Sequence, residues 1–362
     1  MTIKSIRAYP ENLKLIEPYS ISISTQYEAN YVIVAIRDDK ENMGFGEASP
    51  LPAYQDETQQ SILETINNTL APPLLGFDEF RVLGIIDRMD ETLSRSLMAK
   101  SAIEMAVHDL VSKKLNTSII RYLGGPVREF VEVAGSIGFL PVRKASTKVE
   151  SLVRQGVTTM KVKIGKGIDQ DMELVGAVRS TGGKEVQIRL DANQAYETEK
   201  AIQYFKKLET FEPELFEQPV NKSDIEGMSR IVKEIDTPIM ADEPIITTTD
   251  VVRYAQAEAA DLVKVKLNRC GGLRKTLAVS ELAKSYDLRV VIGSGHESSV
   301  GVAAESALAL TGTNFHQVGE MNGNQRLAEE LVDNPLLPKS GKIIPWTSPG
   351  LGINLHDSRL ML

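Results

Sequence analysis

The chain has a single cysteine, Cys270, among its 362 residues. No internal disulfide can form, which fits a reducing cytoplasm. It has only four histidines, His108, His296, His316 and His356, and they are scattered. One thiol and four dispersed imidazoles do not make a structural zinc site, so any metal must be held by oxygen. A basic excess is also missing. The net charge is −8, and no basic stripe interleaved with aromatics occurs, which argues against nucleic acid as a partner. No apolar run reaches 18 residues, and the opening "MTIKSIRAYPENLKLIEPYS" lacks the apolar core of a signal peptide. A cytoplasmic protein with no membrane partner is the expectation.

What is present has two textures. In the first 125 residues, "YVIVAIRD" and "MGFGEASP" read as strands joined by the turn-forming "DDKEN" into an antiparallel hairpin. Helical runs follow at about 58–72, 78–92 and 98–115, and "YLGGPVRE" then breaks the chain. From about residue 131, short apolar runs alternate with helical ones: "VEVAGSI", "TMKVKIG", "VQIRLDAN", "LFEQPV", "PIMADEP", "DLVKVKLN", "RVVIGSG" and "NFHQVGE". Eight candidates about 25 to 30 residues apart are the signature of parallel βα units. The expectation is an α/β protein: an α+β capping domain over 1–125, a (β/α)8-type TIM barrel over 126–325, and a segment over 326–362 returning toward the cap.

Chemistry in such a barrel collects at the C-terminal strand ends. The second candidate carries Lys161 and Lys163, which share one face because they are two apart. The third ends in Asp191, the fourth in Glu217, the fifth in Asp242, and the sixth carries Lys264 and Lys266. Three acids on adjacent strands, each under about 5 Å from the next, repel one another unless a cation lies between them. An all-oxygen set of that kind suits Mg²⁺, with Mn²⁺ as a substitute.

Strands two and six of eight lie across the barrel axis. Lys163 and Lys266 can therefore face one carbon from opposite sides, one taking a proton and the other returning it. Removing a proton beside a carboxylate creates an enediolate, which a divalent cation stabilises. Lys161, a neighbouring ammonium, can hold Lys163 partly neutral and bind the substrate carboxylate. Lys264 lies one layer deeper and reads as a residue that supports the site from behind or as a packing partner.

The ordered set "KVKIG", "DANQAY", "FEQPV", "MADEP" and "KVKLNRCGG" resembles the enolase superfamily, in its muconate lactonizing enzyme subgroup, and the likeness covers nearly the whole chain. The pairing of a lysine base with Mg²⁺ is a general feature of that superfamily. The resemblance implies that Asp191, Glu217 and Asp242 are metal ligands and that Lys163 and Lys266 are the acid/base pair. It implies that Lys161 assists at the substrate carboxylate and that Asn193 and Glu243 support the site from behind. "GSGHESSVG" is closest in texture to the dipeptide epimerases. Those typically end strand eight with Asp-x-Asp, which holds the substrate's ammonium; here the stretch is "GEMNG", with Glu320 and Asn322 instead.

His296 stands where an apolar residue is expected and is a candidate for substrate contact or an extra acid. Ser136, Tyr19 and Tyr54 are further candidates, the last two on cap loops with Ser22 and Thr25. His108 and Cys270 read as structural, and His316 and His356 carry no partner pattern.

The expectation is a Mg²⁺-dependent racemase or epimerase of a small-molecule carboxylate, a dipeptide or N-acyl amino acid, in a homo-oligomer. A cycloisomerase or a dehydratase of an acid sugar or hydroxy-amino acid would use the same enolate. A Schiff-base aldolase needs no metal, and the three aligned acids count against it.

Overall fold

The computed structural model describes residues 2–20, 25–52 and 56–356, without the side chains of residues 19 and 20. Strands β1 (Ile3–Ser20), β2 (Thr25–Asp38) and β3 (Met43–Ala48) form an antiparallel sheet in that order. The hairpin expected at "DDKEN" is the β2–β3 turn, where Arg37 pairs with Met43. The long β1 has no clean alternation, and its Pro10 is tolerated because β1 is an edge strand.

Over this sheet lies the helix Leu97–Lys114, buried without a break from Met98 to Ser112. Gly44 and Gly46 permit that contact, since a Cβ on either would run into the helix backbone at Ala106 or Ala102. The run expected over 58–72 starts as an α-helix at Gln59, widens to a π turn over Thr65–Leu70, and ends in a 3₁₀ turn at Pro72–Leu74.

The second half alternates strand and helix as expected, but its first and last strand candidates depart from the pattern. "VEVAGSI" is two strands, β4 (Val131–Val133) and β5 (Gly135–Ile137). The chain continues through β6 (Thr159–Lys163), β7 (Gln187–Asp191), β8 (Leu215–Glu217), β9 (Ile239–Ala241), β10 (Leu262–Val265) and β11 (Arg289–Ile292). Strands β5 to β11 make one parallel sheet in chain order.

The eighth candidate keeps only β12 (Val318–Gly319), in a separate small sheet with β4 and with β13 (Lys342–Ile343). The reason is that its backbone is shared. The N–H groups of His316 and Glu320 donate to Val290 and Ile292, while the carbonyls of Gln317 and Gly319 accept from Glu132 and Ala134. Neither edge receives a long regular ladder.

Three residues after 326 bond to the N-terminal part of the chain. Leu327 bridges Leu15, Gly350 bridges Ser118, and the Leu351 N–H donates to Asp109 at 2.8 Å. Polar bolts join the N-terminal part of the chain to the parallel-sheet part beside the strand ends. Glu104 of the cap helix accepts from the N–H groups of Leu273 and Arg274, and the φ of +121° at Gly272 brings that turn against it. The Tyr31 hydroxyl donates to the His296 carbonyl, and Ser298 donates through N–H and Oγ to Glu47.

Burial pushes the carboxyl of Glu47 up to about 8, with the Ser298 hydrogen bonds opposing the shift and Glu297 adding to it. The folded chain therefore keeps a proton on Glu47 that the unfolded chain releases near pH 4.5. Stability from this group falls as pH climbs from about 4.5 to about 8, and is level beyond. Glu47→Gln, which keeps an acceptor for the Ser298 N–H and adds a donor for its hydroxyl, should flatten that slope. We expect a gain on the order of 1–3 kcal/mol at pH 8 and little change at pH 5, read from thermal unfolding at both.

Candidate active site

Register does most of the assembly. Lys163 pairs with Asp191 across β6–β7, and Asp191 with Glu217 across β7–β8. Glu217 pairs with Met240, so Asp242 projects from the same face two residues further on. On β10, Val263 pairs with Ala241, which sets Lys264 level with Asp242 and Lys266 beyond it. Leu215, Met240 and Val291 form a small buried apolar cluster of their own on β8, β9 and β11.

The lysines do not reach outward. Lys161 is 8% and Lys163 6% exposed, and their ammonium groups meet the acids. Lys161 Nζ lies 2.8 Å from Asp191 Oδ2, 3.0 Å from Glu217 Oε1 and 3.0 Å from Glu320 Oε2. Lys163 Nζ donates to Asp191 Oδ2 at 2.7 Å and to Asn193 Oδ1. Lys264, fully buried, bridges Glu217 Oε2 and Glu320 Oε1 at 2.6 Å each, in keeping with support of the site from behind. Lys266 Nζ stands 3.0 Å from Asp242 Oδ2. Asn193, at a left-handed φ of 43°, donates to Glu243 at 3.2 Å.

Burial dominates the electrostatics and partners decide its sign. Burial, then the neighbouring Asp191, pushes Glu217 up to about 8. Burial lowers Lys264, against the pull of Glu217 and Glu320. For Glu320, burial would raise the carboxyl, but Lys161 and Lys264 bring it down to about 2. Asp242 is held well below the carboxylate range against its burial, by Lys266 and then Arg269. Asp191, Glu217 and Glu320 in turn hold Lys161 well above the usual lysine value despite its burial.

As the side chains stand, no three or more acids, histidines or cysteines among the described residues are arranged to hold a metal ion. Asp191 and Glu217 converge on Lys161, while Asp242 turns to Lys266 and to Arg269, 2.7 Å away. The donor set nonetheless fits an oxygen-seeking divalent ion. It consists of buried carboxylates on three adjacent strands, one of them driven toward its neutral form by burial and its acidic neighbour.

A cavity of about 720 Å³ opens over these groups, roofed by the cap and within the usual range for small-molecule sites. Ser136, Lys161, Lys163, Lys266, Glu320 and Asn322 all line it. His296 does not. It is buried with a pKa pushed down to about 3, chiefly by burial and next by Arg326, so it has no proton to give as an imidazolium at neutral pH. Tyr54 and Ser22 lie outside the described residues, as does the side chain of Tyr19; Thr25 is exposed, and its neighbour Gln26 lines the cavity.

His316 and His356 do have partners: Arg189 and Glu214 for the first, Asp333 and the Glu330 carbonyl for the second. His108 pairs with Glu104 inside the cap helix, and Cys270 is buried.

Sequence reasoning missed Arg269, Ser49, Asn268, Glu297 and Arg326. Arg269 sits three residues after Lys266, one helical turn on, which is the signal that could have found it. Asn268 donates to Ser49 at 3.0 Å and Ser49 to Glu297 at 3.1 Å, a chain linking the two halves of the protein that no single segment announces.

Comparison with known proteins places this arrangement. The description "Mandelate racemase / muconate lactonizing enzyme, N-terminal domain" matches residues 3–124, and "Enolase C-terminal domain-like" matches residues 144–359. A hydrophobic dipeptide epimerase of Enterococcus faecalis is 30% identical over 316 residues, 87% of this chain and 89% of its own length. The solved structure of a dipeptide epimerase from the same organism, complexed with Mg and L-Leu-L-Tyr, superposes with a TM-score of 0.93 at 28% identity, covering 98% of this chain and 100% of that one. The structure of N-succinyl Arg/Lys racemase from Bacillus cereus gives 0.95 at 28% identity over 99% and 97% of the two chains. A chloromuconate cycloisomerase of Cupriavidus pinatubonensis is 28% identical over 99% of this chain and 98% of its own length. All of these are isomerases. The chain belongs to the mandelate racemase/muconate lactonizing enzyme family of the enolase superfamily, in its muconate lactonizing enzyme subgroup.

Proposed function

We propose that the protein is a racemase or epimerase that exchanges the α-proton of a carboxylate substrate, an N-acyl amino acid or dipeptide. One observation carries this reading. Lys163 on β6 and Lys266 just after β10 are separated by three strands, β7 to β9, that bear Asp191, Glu217 and Asp242. The hydrogen bonds from residues 316–320 to both β11 and the β4–β5 region support a closed (β/α)8-type barrel, in which those two lysines stand half a turn apart.

A neutral Lys163 takes the α-proton from one face of the carbon as the Lys266 ammonium donates to the other; the reverse direction exchanges their roles. Asp191 and Asn193 receive the Lys163 ammonium so formed, and Asp242 receives that of Lys266. The Lys161 ammonium, already ringed by carboxylates, is placed to hold the substrate carboxylate. Asp191, Glu217 and Asp242 would hold Mg²⁺, or Mn²⁺ in its place, and the bound ion would supply positive charge against the enediolate.

Two measurements test the reading. Incubating the protein with Mg²⁺ and a panel of dipeptides and N-acyl amino acids in D₂O should add one mass unit at the α-position of true substrates; a panel with no exchange sinks it. Mg²⁺ alone should raise the unfolding temperature, by the equivalent of about 2.7 kcal/mol at a hundred times its Kd. Asp191→Asn should abolish that rise.

The cycloisomerase relative, matched over nearly the whole chain, supports a second reading in which one lysine suffices. A lactone product in place of an inverted stereocentre would favour it.

A further inference from the structure

We propose that the substrate's N-terminal end is an acyl group bearing an anion rather than a free ammonium, and that Arg326 reads it. This deepens the proposed function and rests on it. In a dipeptide the group beyond the reacting residue's amide is an ammonium, which needs carboxylates with open oxygens. The wall formed by the ends of β11 and β12 has two acids, and each already meets donors on both of its oxygens. Both oxygens of Glu320 are engaged, by Lys264 at 2.6 Å and by Lys161 at 3.0 Å. Glu297 accepts from the Ser49 and Ser294 hydroxyls and from the Gly295 N–H.

The next polar position on that wall, Asn322, carries no charge. It donates its amide to the Ala134 carbonyl at 2.7 Å and presents its oxygen to Arg326. Arg326 lines the cavity with Asn322, Gly295 and Glu297, and its guanidinium is held by the Gly295 carbonyl at 3.2 Å and by Asn322 Oδ1 at 3.1 Å. A guanidinium fixed at two points is a preorganised partner for a carboxylate. It repels an ammonium. The loss of acidic character at Asn322 and the internal neutralisation of Glu320 by Lys264 act in the same direction.

The test compares three N-substituents on the same set of amino acids: succinyl, ending in a carboxylate; acetyl, ending in a methyl; and alanyl, ending in an ammonium. Exchange at the α-position is measured in D₂O with Mg²⁺. The expected order of kcat/KM is succinyl above acetyl above alanyl, with at least a tenfold gap between the extremes. Arg326→Gln should reduce the succinyl value by about tenfold more than the acetyl value, chiefly through KM. Alanyl compounds that match or exceed their succinyl counterparts leave the proposed function standing and overturn this inference. An equal loss on succinyl and acetyl compounds shows Arg326 to be structural and also overturns it. If none of the three exchanges, the proposed function itself falls and takes this inference with it.

Discussion

Lys266→Ala is expected to abolish inversion in both directions while sparing exchange from one stereoisomer. General acid–base groups contribute roughly 10²–10⁴-fold each, and here one residue must act in every turnover as either acid or base. The loss in kcat/KM for inversion should therefore be at least about 10³-fold for Lys266→Ala and for Lys163→Ala alike. Exchange separates the two. Without Lys266, Lys163 can still take the α-proton from its own face and return a solvent deuteron there, so the isomer presented to Lys163 exchanges without inverting. Lys163→Ala should give the mirror result.

The variants should also differ in background. The Lys163 side chain is 7% exposed, against 23% for Lys266, so water can replace the missing amine more readily at position 266. Loss of exchange from the same isomer in both variants would place the two amines on one side of the carbon and end the two-base account.

The register that puts these lysines in place was legible because a strand's period is two. Lys161 and Lys163 had to share a face, and "KVKIG", "RLDAN" and "LFEQP" align their charged residues without any knowledge of tertiary contact. The strand–helix alternation and the β2–β3 turn were legible for the same local reasons. The eighth strand was not, because what defines it is bonding to two different edges, at Val290 and Ile292 on one side and Glu132 and Ala134 on the other.

The state of the charges was the least visible. That both oxygens of Glu320 are taken depends on Lys161 and Lys264, 159 and 56 residues away in the chain. At His296, burial and then Arg326 push the pKa down to about 3 and the residue does not line the cavity, an environment that its place beside a motif did not announce.

Replacing Lys264 should cost more stability than any other single change considered for this chain. Its ammonium is wholly inaccessible and donates at 2.6 Å to Glu217 and to Glu320, which are themselves buried. Lys264→Met keeps most of the side-chain volume, so a cavity is not the reason for the loss. Two buried carboxylates lose a donor they share, and Lys161 is left as the one lysine spanning Asp191, Glu217 and Glu320. Removing one partner of a buried ion pair costs about 3–5 kcal/mol. A fall of that size should appear as a lower urea midpoint with an unchanged slope.

Two further measurements locate the cause of that loss. The double change Lys264→Met with Glu320→Gln should recover part of it, because Glu320, the carboxylate that Lys264 helps to hold ionised, is then neutral. Saturating Mg²⁺ should shrink it as well, since an ion bound as proposed by Asp191, Glu217 and Asp242 takes over the compensation of Glu217 and leaves Glu320 to Lys161 alone. A single variant within about 1 kcal/mol of the parent would mean that water or a rearranged Lys161 satisfies these acids, and that the Lys264–Glu320 pair does not fix the charge of the eighth-strand wall.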